Sequence, residues 1–175
     1  MIRFALNFVI ILFVITTLAH AQVTTKITGA KISNAVITDG DVCKGAAIGD
    51  SCGGGKYAGT LNGYKYVVTP GGCTDSSTPT CAGGSDTVRK AWANASGTTA
   101  YGVNTGATST TDGLGNTTLL AMNYTDTDTA KYCQNMVYGG YVDWFLPAQD
   151  EVNLLYANKA ALGGFGTNSY WSSTE

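Results

Sequence analysis

The sequence predicts an α+β fold on three observations. A β-hairpin pattern, GGGKYAGTLNGYKYVVT, occupies residues 53–69, with Asn62-Gly63 as a strong turn signal between two Tyr- and Val-rich runs. Two helical patterns follow in the C-terminal part of the chain, at residues 126–140 and 147–164. Both patterns are short and apolar on one face, so they need a sheet to pack against.

The N-terminus has the pattern of a secretory signal peptide, residues 1–21. Arg3 precedes an apolar run at residues 4–18, and Ala-His-Ala at 19–21 is a cleavage site. The run is shorter than the ~20 residues of a membrane-spanning helix, which favours cleavage after Ala21 over an uncleaved membrane anchor. We therefore expect a secreted or cell-surface protein with no membrane association after cleavage.

Charge and histidine content exclude several function classes. The chain carries 10 basic and 12 acidic residues, and no Lys or Arg lies between Lys90 and Lys131. This distribution lacks the basic surface that nucleic acids need. The one histidine lies in the predicted leader, so the mature chain cannot build a Ser–His or Cys–His pair. We predict that the protein is not an enzyme.

The five cysteines all lie in the exported part of the chain. Export favours disulfides, and two short, turn-rich intervals suggest the local pairs Cys43–Cys52 and Cys73–Cys81. Each bond would stabilise the fold by about 2.5–3 kcal/mol. Zinc is disfavoured, because the mature chain has neither a C-x-x-C pair nor a histidine. Cys133 is left without a partner.

The mature chain divides into two parts. Residues 22–42 contain Ile27, Ile32 and Ile37 at intervals of five, which suits two short strands, a few solenoid coils or, as we prefer, a linker or stalk with β character. Residues 43–175 form the predicted domain. Within it, residues 96–127 are nearly uncharged and rich in turn formers, which predicts a long loop with one strand at 117–122.

The first helical pattern, residues 126–140, has Ala130, Cys133 and Val137 on one face and ends at Gly139-Gly140. Asp126 and Asp128 stand at its start. Helix capping explains them best, and a calcium site is the alternative, although calcium takes six to eight oxygen ligands. No other cofactor is expected.

The second helical pattern begins at Pro147, which suits a first helical turn, and ends at Gly163-Gly164. Glu151 lies near the positive end of the helix dipole. The predicted buried face contains Ala148, Val152, Leu155 and Tyr156.

The stretch AKYCQNMVYGGYVDWFLPAQDEVNLLYANKAALGGF, followed by YWSSTE, resembles the Lcl C-terminal domain family, found at the end of Legionella-type collagen-like adhesins. KYAGTLNGYKYVVTPGGC is similar to the family's N-terminal part, so the resemblance covers residues 43–175. The matching residues are Ala130, Cys133, Gly139, Gly140, Asp143, Trp144, Leu146, Pro147, Glu151, Leu154 or Leu155, Tyr170, Trp171, Ser172 and Ser173.

The resemblance implies a C-type-lectin-like domain, with two short helices on a twisted antiparallel sheet and long polar loops. It also implies a role in bacterial surface proteins or phage-related fibres, with an extracellular glycan or a surface protein as a candidate partner. A homotrimer, assembled through residues 22–42, is a candidate assembly. Family members continue past Y-W-S-S, so we expect the domain to be incomplete at its C-terminus, with the partner of Cys133 in the missing tail. Phe145 stands where the family commonly has Arg, and basic residues are scattered, which argues against a sulfated polysaccharide.

The aromatic residues invite two interpretations. Trp92, Trp144, Tyr170 and Trp171 have rings that suit stacking on sugars, but large aromatics more often pack in a core, which we favour for Trp144 and Trp171. We expect Asp143 to cap its turn or bond backbone N–H groups. Ser172 and Ser173 are expected to bond backbone in the same corner.

The preferred function is therefore a secreted, disulfide-stabilised binding module for adhesion and carbohydrate recognition, with contacts from loop 96–127 and the rim of the sheet. A structural fibre or tip component without ligand affinity is the alternative, with residues 22–42 as its assembly segment. A hydrolase that pairs Glu151 with Asp143 or Asp150 ranks third, since acidic residues at a helix start need no catalytic role.

Overall fold

A computed structural model describes residues 9–10, 14–17, 43–84, 88–93, 102–167 and 169–175. The predicted cleavage site and the predicted stalk, residues 22–42, lie outside these ranges. The architecture is α+β, as the sequence predicts. The elements in chain order are β1 (Val9–Ile10), β2 (Val14–Thr17), β3 (Ser51–Cys52), β4 (Gly55–Leu61), β5 (Tyr64–Val68), α1 (Gly113–Asn123), α2 (Asp128–Gln134), α3 (Gln149–Ala157), α4 (Lys159–Leu162) and β6 (Ser169–Tyr170).

The predicted hairpin is confirmed and forms the centre of an antiparallel sheet. β4 and β5 pair through a two-residue turn in which Asn62 has φ 52° and Gly63 has φ 81°. Two successive positive φ angles match the right-handed twist of the flanking strands, which is why an Asn-Gly pair stands here. β3 extends the sheet beyond β4, and β2 pairs antiparallel with the other edge of β5. β1 and β6 form a separate parallel pair.

The segment Trp144-Phe145-Leu146 links the two main hydrophobic clusters. Trp144 and Leu146 pack in the cluster that contains Val67 of β5, whereas Phe145 packs in the cluster that contains Tyr66 and Val68. Successive residues of an extended chain point to opposite sides, so one short stretch contributes to both clusters. This corner consequently joins the sheet to the helices that follow it.

The predicted strand at 117–122 is wrong, because these residues belong to helix α1. The side chain of Asp112 caps the helix by accepting a hydrogen bond from the Gly115 N–H at 2.8 Å. Leu120 is fully buried with Ala130 of α2, and the two helices pack together. Tertiary packing and the cap outweigh the β preference of the Thr-Thr-Leu-Leu run.

Helix α2 is shorter than predicted. It ends at Gln134, so Val137 lies outside the helix and is 42% exposed instead of packing in the core. Ala130 and Cys133 are buried as expected. The Gly139-Gly140 turn does not end the helix. Instead, Gly139, with φ 62°, approaches the backbone of Gly54 so closely that a side chain there would collide with it.

The second predicted helix is divided in two at Asn158, so that, together with α1, the described chain contains four helices instead of the two predicted. α3 begins at Gln149 with Ala148 as its N-cap, two residues after Pro147. The Asn158 side chain donates to the carbonyls of Ala58 at 3.0 Å and Leu154 at 3.1 Å, tying the break to β4. Leu155 and Leu162 are buried, but Tyr156 is not part of the buried face.

The structure contains the disulfides Cys43–Cys52 and Cys73–Cys81. Cys133 forms no disulfide and is buried, and its burial raises the pKa of the thiol. No helix within the described ranges has the length and apolarity of a membrane span.

Candidate binding groove

Trp144 lies in the core and offers no surface for a ligand. Its side chain is 1% exposed, and its indole N–H donates to the Tyr138 carbonyl at 3.1 Å. The ring also contacts the Tyr138 ring, with centroids 5.8 Å apart. A satisfied indole with buried faces is a packing element.

The other two tryptophans are half-buried against the same cluster. The Trp92 indole N–H donates to the Ser172 carbonyl at 2.9 Å. The Trp171 indole nitrogen is buried and has no hydrogen-bond partner among the described residues. Both rings therefore form part of the wall around Val67 and Trp144.

The C-terminal residues bond to backbone groups elsewhere in the chain and within their own segment, through main-chain N–H groups as well as through hydroxyls. The Ser173 N–H donates to the Pro147 carbonyl at 2.8 Å, and the Ser172 hydroxyl donates to the Thr174 carbonyl at 3.2 Å. Thr174 accepts from the Gln149 N–H and donates to the Ser109 carbonyl. Asp143, in contrast, is exposed, and its role in the turn stays a prediction.

Glu151 is a buried carboxylate held by donors from three different parts of the fold. It is 1% exposed and accepts hydrogen bonds from the Ala148 N–H at 2.7 Å, the Gly113 N–H at 3.3 Å and the Tyr66 hydroxyl at 3.0 Å. Ala148 is the N-cap of α3, Gly113 is the first residue of α1, and Tyr66 lies in β5. Gly113 is required at this contact, because a side chain there would collide with the carboxylate.

The environment of Glu151 makes it structural. Burial raises the pKa of its carboxyl group, and the Ala148 and Gly113 N–H groups and the Tyr66 hydroxyl partly oppose that rise. Burial and the neighbouring carboxylate also raise the pKa of the Tyr66 phenol. Glu151 is enclosed, whereas Asp143 faces solvent.

The two aspartates considered for calcium have different surroundings. Asp126 is buried, whereas Asp128 is exposed as the first residue of α2. The N-cap between them is Thr127, whose hydroxyl donates to the Leu120 carbonyl at 3.0 Å and does not cap the helix. Within the described ranges, no three acidic, histidine or cysteine side chains converge on a metal-sized site.

A solvent-open groove lies where α3 and α4 meet the segment that leads into β6. Its volume is about 390 Å³. Its lining combines three aromatic rings with one ammonium group, one hydroxyl and a glycine: Tyr156, Phe165, Tyr170, Lys159, Thr167 and Gly166.

The aromatic rings of the groove are held by specific contacts. The Phe165 and Tyr170 rings lie 5.3 Å apart at 49°, and the Tyr170 hydroxyl accepts a hydrogen bond from the Gly166 N–H at 2.7 Å. Tyr156 is 60% exposed, and the Lys159 ammonium lies 3.7 Å from its ring centroid. A hydrogen bond from Lys159 and its positive charge lower the pKa of the Tyr156 phenol.

Tyr170 is the one groove residue that the sequence singled out; Tyr156, Lys159 and Phe165 were missed. Tyr156 was placed on the buried face because it lies eight residues after Ala148. At about 100° per residue, that spacing leaves it roughly 80° from Ala148, at the margin of the apolar stripe. The useful signal was Lys159, three residues after Tyr156, because the uninterrupted helix that the sequence predicts would make residues at that spacing neighbours.

Comparison with known proteins gives no relatives: no family model, no curated protein and no solved structure matches this chain.

Proposed function

We propose that this chain is a secreted or surface-exposed bacterial or phage-related module that recognises carbohydrate through the groove of Tyr156, Lys159, Phe165, Thr167 and Tyr170. The observation that carries the proposal is the exposed Tyr156 ring beside an ammonium group at the edge of an open groove. A sugar ring has an apolar C–H face and a rim of hydroxyl groups. An aromatic face packs well against the C–H face of the sugar, and an ammonium or a hydroxyl group can hydrogen-bond its hydroxyl groups.

The contacts within the groove indicate which residues form its wall and which offer polar groups to a ligand. Phe165 and Tyr170 pack on each other, and the Gly166 N–H holds the Tyr170 hydroxyl, so these rings form a pre-organised wall. Pre-organisation lowers the entropy lost on binding. Lys159 and Thr167 supply the polar contacts that orient a ligand.

Other features support export and the family resemblance. Two disulfides suit an oxidising compartment, in agreement with the predicted leader. The α+β architecture suits a lectin-like domain of the Lcl C-terminal type, which we retain as part of the proposal.

The test is binding of the secreted protein to a glycan array, with and without calcium. The wild type should bind a subset of glycans saturably. Tyr156→Ala should weaken that binding at least about tenfold, which corresponds to about 1.4 kcal/mol.

Tyr64→Ala is the matched control, because Tyr64 is also an exposed tyrosine but lies on the hairpin, outside the groove lining. It should bind like the wild type. A uniformly blank array under both conditions, together with concentration-dependent assembly, would instead favour the fibre or tip component.

A further inference from the structure

We infer that the outer edge of β5 is a strand-docking surface whose occupant in the mature protein is this chain's own residues 36–39, Val-Ile-Thr-Asp. The inference concerns a surface separate from the groove and does not depend on carbohydrate recognition. It rests on the predicted cleavage after Ala21.

The edge of β5 already pairs with a strand of nearly the same sequence, β2. β2, Val14–Thr17, pairs antiparallel with it in a fixed register, with Val14 opposite Val68 and Thr17 opposite Lys65. β2 lies inside the predicted leader. Cleavage would therefore remove the strand that satisfies this edge and leave a row of unpaired backbone N–H and C=O groups.

The mature chain contains a near copy of that strand. Val14-Ile15-Thr16 recurs as Val36-Ile37-Thr38, and β-branched residues of this kind favour strands. In the register of β2, Ile37 would stand opposite Val67 and Thr38 opposite Tyr66. The fourth position differs, because Asp39 replaces Thr17.

This difference improves the match to β5. The fourth position stands opposite Lys65, so the mature segment would place a carboxylate across from an ammonium group. Opposite charges on directly opposed residues stabilise antiparallel pairing. The leader strand offers only a hydroxyl at the same place.

The connection to the rest of the domain has a suitable length. The Lys65 ammonium donates to the Cys43 carbonyl at 3.1 Å, and Cys43 packs in the same cluster as Val67, so Cys43 lies beside the start of β5. An antiparallel strand whose last residue faces Lys65 ends at this same place. Residues 40–42, beginning with Gly40, can extend roughly 10 Å to reach Cys43. So short a tether gives the chain's own segment a high effective concentration relative to a second copy.

The first experiment measures hydrogen exchange of the β5 amides in the secreted protein, after intact mass has established Gln22 as its first residue. Ile37→Pro should accelerate exchange of the outward-facing β5 amides at least about tenfold, because proline cannot donate to the ladder and cannot fit its register. Ile27→Pro is the matched control in the same segment and should leave that exchange unchanged. Equal exchange in both variants, or a secreted chain that keeps its leader, would overturn the inference.

A second experiment covers the case in which Ile37→Pro does not fold. Asp39→Cys combined with Lys65→Cys places two thiols on opposed residues, and Thr25→Cys with Lys65→Cys is the control pair. Peptide mapping should find the 39–65 disulfide within a monomer and no 25–65 disulfide. A 39–65 link found only in dimers would assign the edge to a second copy and overturn the inference, as would the absence of that link.

Discussion

The corner at Trp144-Phe145-Leu146 and the groove around Tyr156 both contain aromatic residues of the C-terminal region, yet their environments are opposite. Trp144 is 1% exposed with its indole N–H bonded, whereas Tyr156 is 60% exposed beside Lys159. The corner lies between two hydrophobic clusters, and Tyr156 lies near the end of α3, at the margin of its buried face. An aromatic side chain therefore becomes a packing element or a contact surface according to the elements that enclose it.

The largest expected effect comes from the corner. Trp144→Ala should reduce the free energy of unfolding by about 3–5 kcal/mol, because it leaves a cavity next to Val67 and Met136 and removes the hydrogen bond from the indole N–H to the Tyr138 carbonyl. Tyr156→Ala is the matched control and should change stability by less than about 0.5 kcal/mol. Urea unfolding of the two variants measures both values, and equal losses would remove the distinction between the two regions.

The buried carboxylate should give the next largest effect. Glu151→Ala leaves the Ala148 and Gly113 N–H groups and the Tyr66 hydroxyl without their acceptor, so unfolding should become easier by about 3 kcal/mol. Asp150→Ala changes the adjacent carboxylate of the same helical turn and should cost less than about 1 kcal/mol. Should thermal unfolding show the two variants to be equally stable, Glu151 does not join α1, α3 and β5.

The same carboxylate should make stability depend on pH. Its pKa is raised in the folded protein, so the folded state holds the proton more tightly than the unfolded chain. The contribution of Glu151 to stability should therefore be fully present below the ordinary carboxyl pKa and be lost as pH rises through the raised value, by about 1.4 kcal/mol for each unit of difference.

The Gln side chain of the Glu151→Gln variant cannot titrate, so the stability of this variant should lack the pH-dependent contribution of residue 151. Urea midpoints of both proteins, measured between about pH 4 and 7, provide the comparison. A wild type that gains stability relative to Glu151→Gln as pH rises would contradict the assignment.

The smallest expected effect belongs to the groove. Lys159→Met should return the lowered pKa of the Tyr156 phenol toward its ordinary value of 10.0. The contribution of Tyr156 is isolated by subtracting the phenolate absorbance titration of Tyr156→Phe. An unchanged titration would mean that Lys159 does not lie over the ring in solution.

The sequence predicted those parts of the fold that depend on local rules. The β4–β5 hairpin followed from Asn62-Gly63 between two strand-forming runs, and two short disulfide loops followed from cysteine spacing. Helix α1 was missed because its stability comes from the Asp112 cap and from packing on α2. The break at Asn158 was missed because it depends on a hydrogen bond to the distant carbonyl of Ala58.

The groove could be predicted from the sequence less well than the fold. The burial of Trp144 was predictable, since a large aromatic side chain next to Phe145, Leu146 and Pro147 favours a position in the core. The groove brings Tyr156 and Lys159 together with Phe165 and Tyr170. That arrangement depends on how the chain returns from α4 to β6, which no periodicity encodes.

Oxidative footprinting of the native protein, read by mass spectrometry at single residues, tests the contrast between corner and groove most directly. We expect rapid oxidation of Tyr156 and protection of Trp144 and Tyr66 until the protein unfolds. Oxidation of Trp144 in the folded protein at the rate of Tyr156 would contradict this expectation.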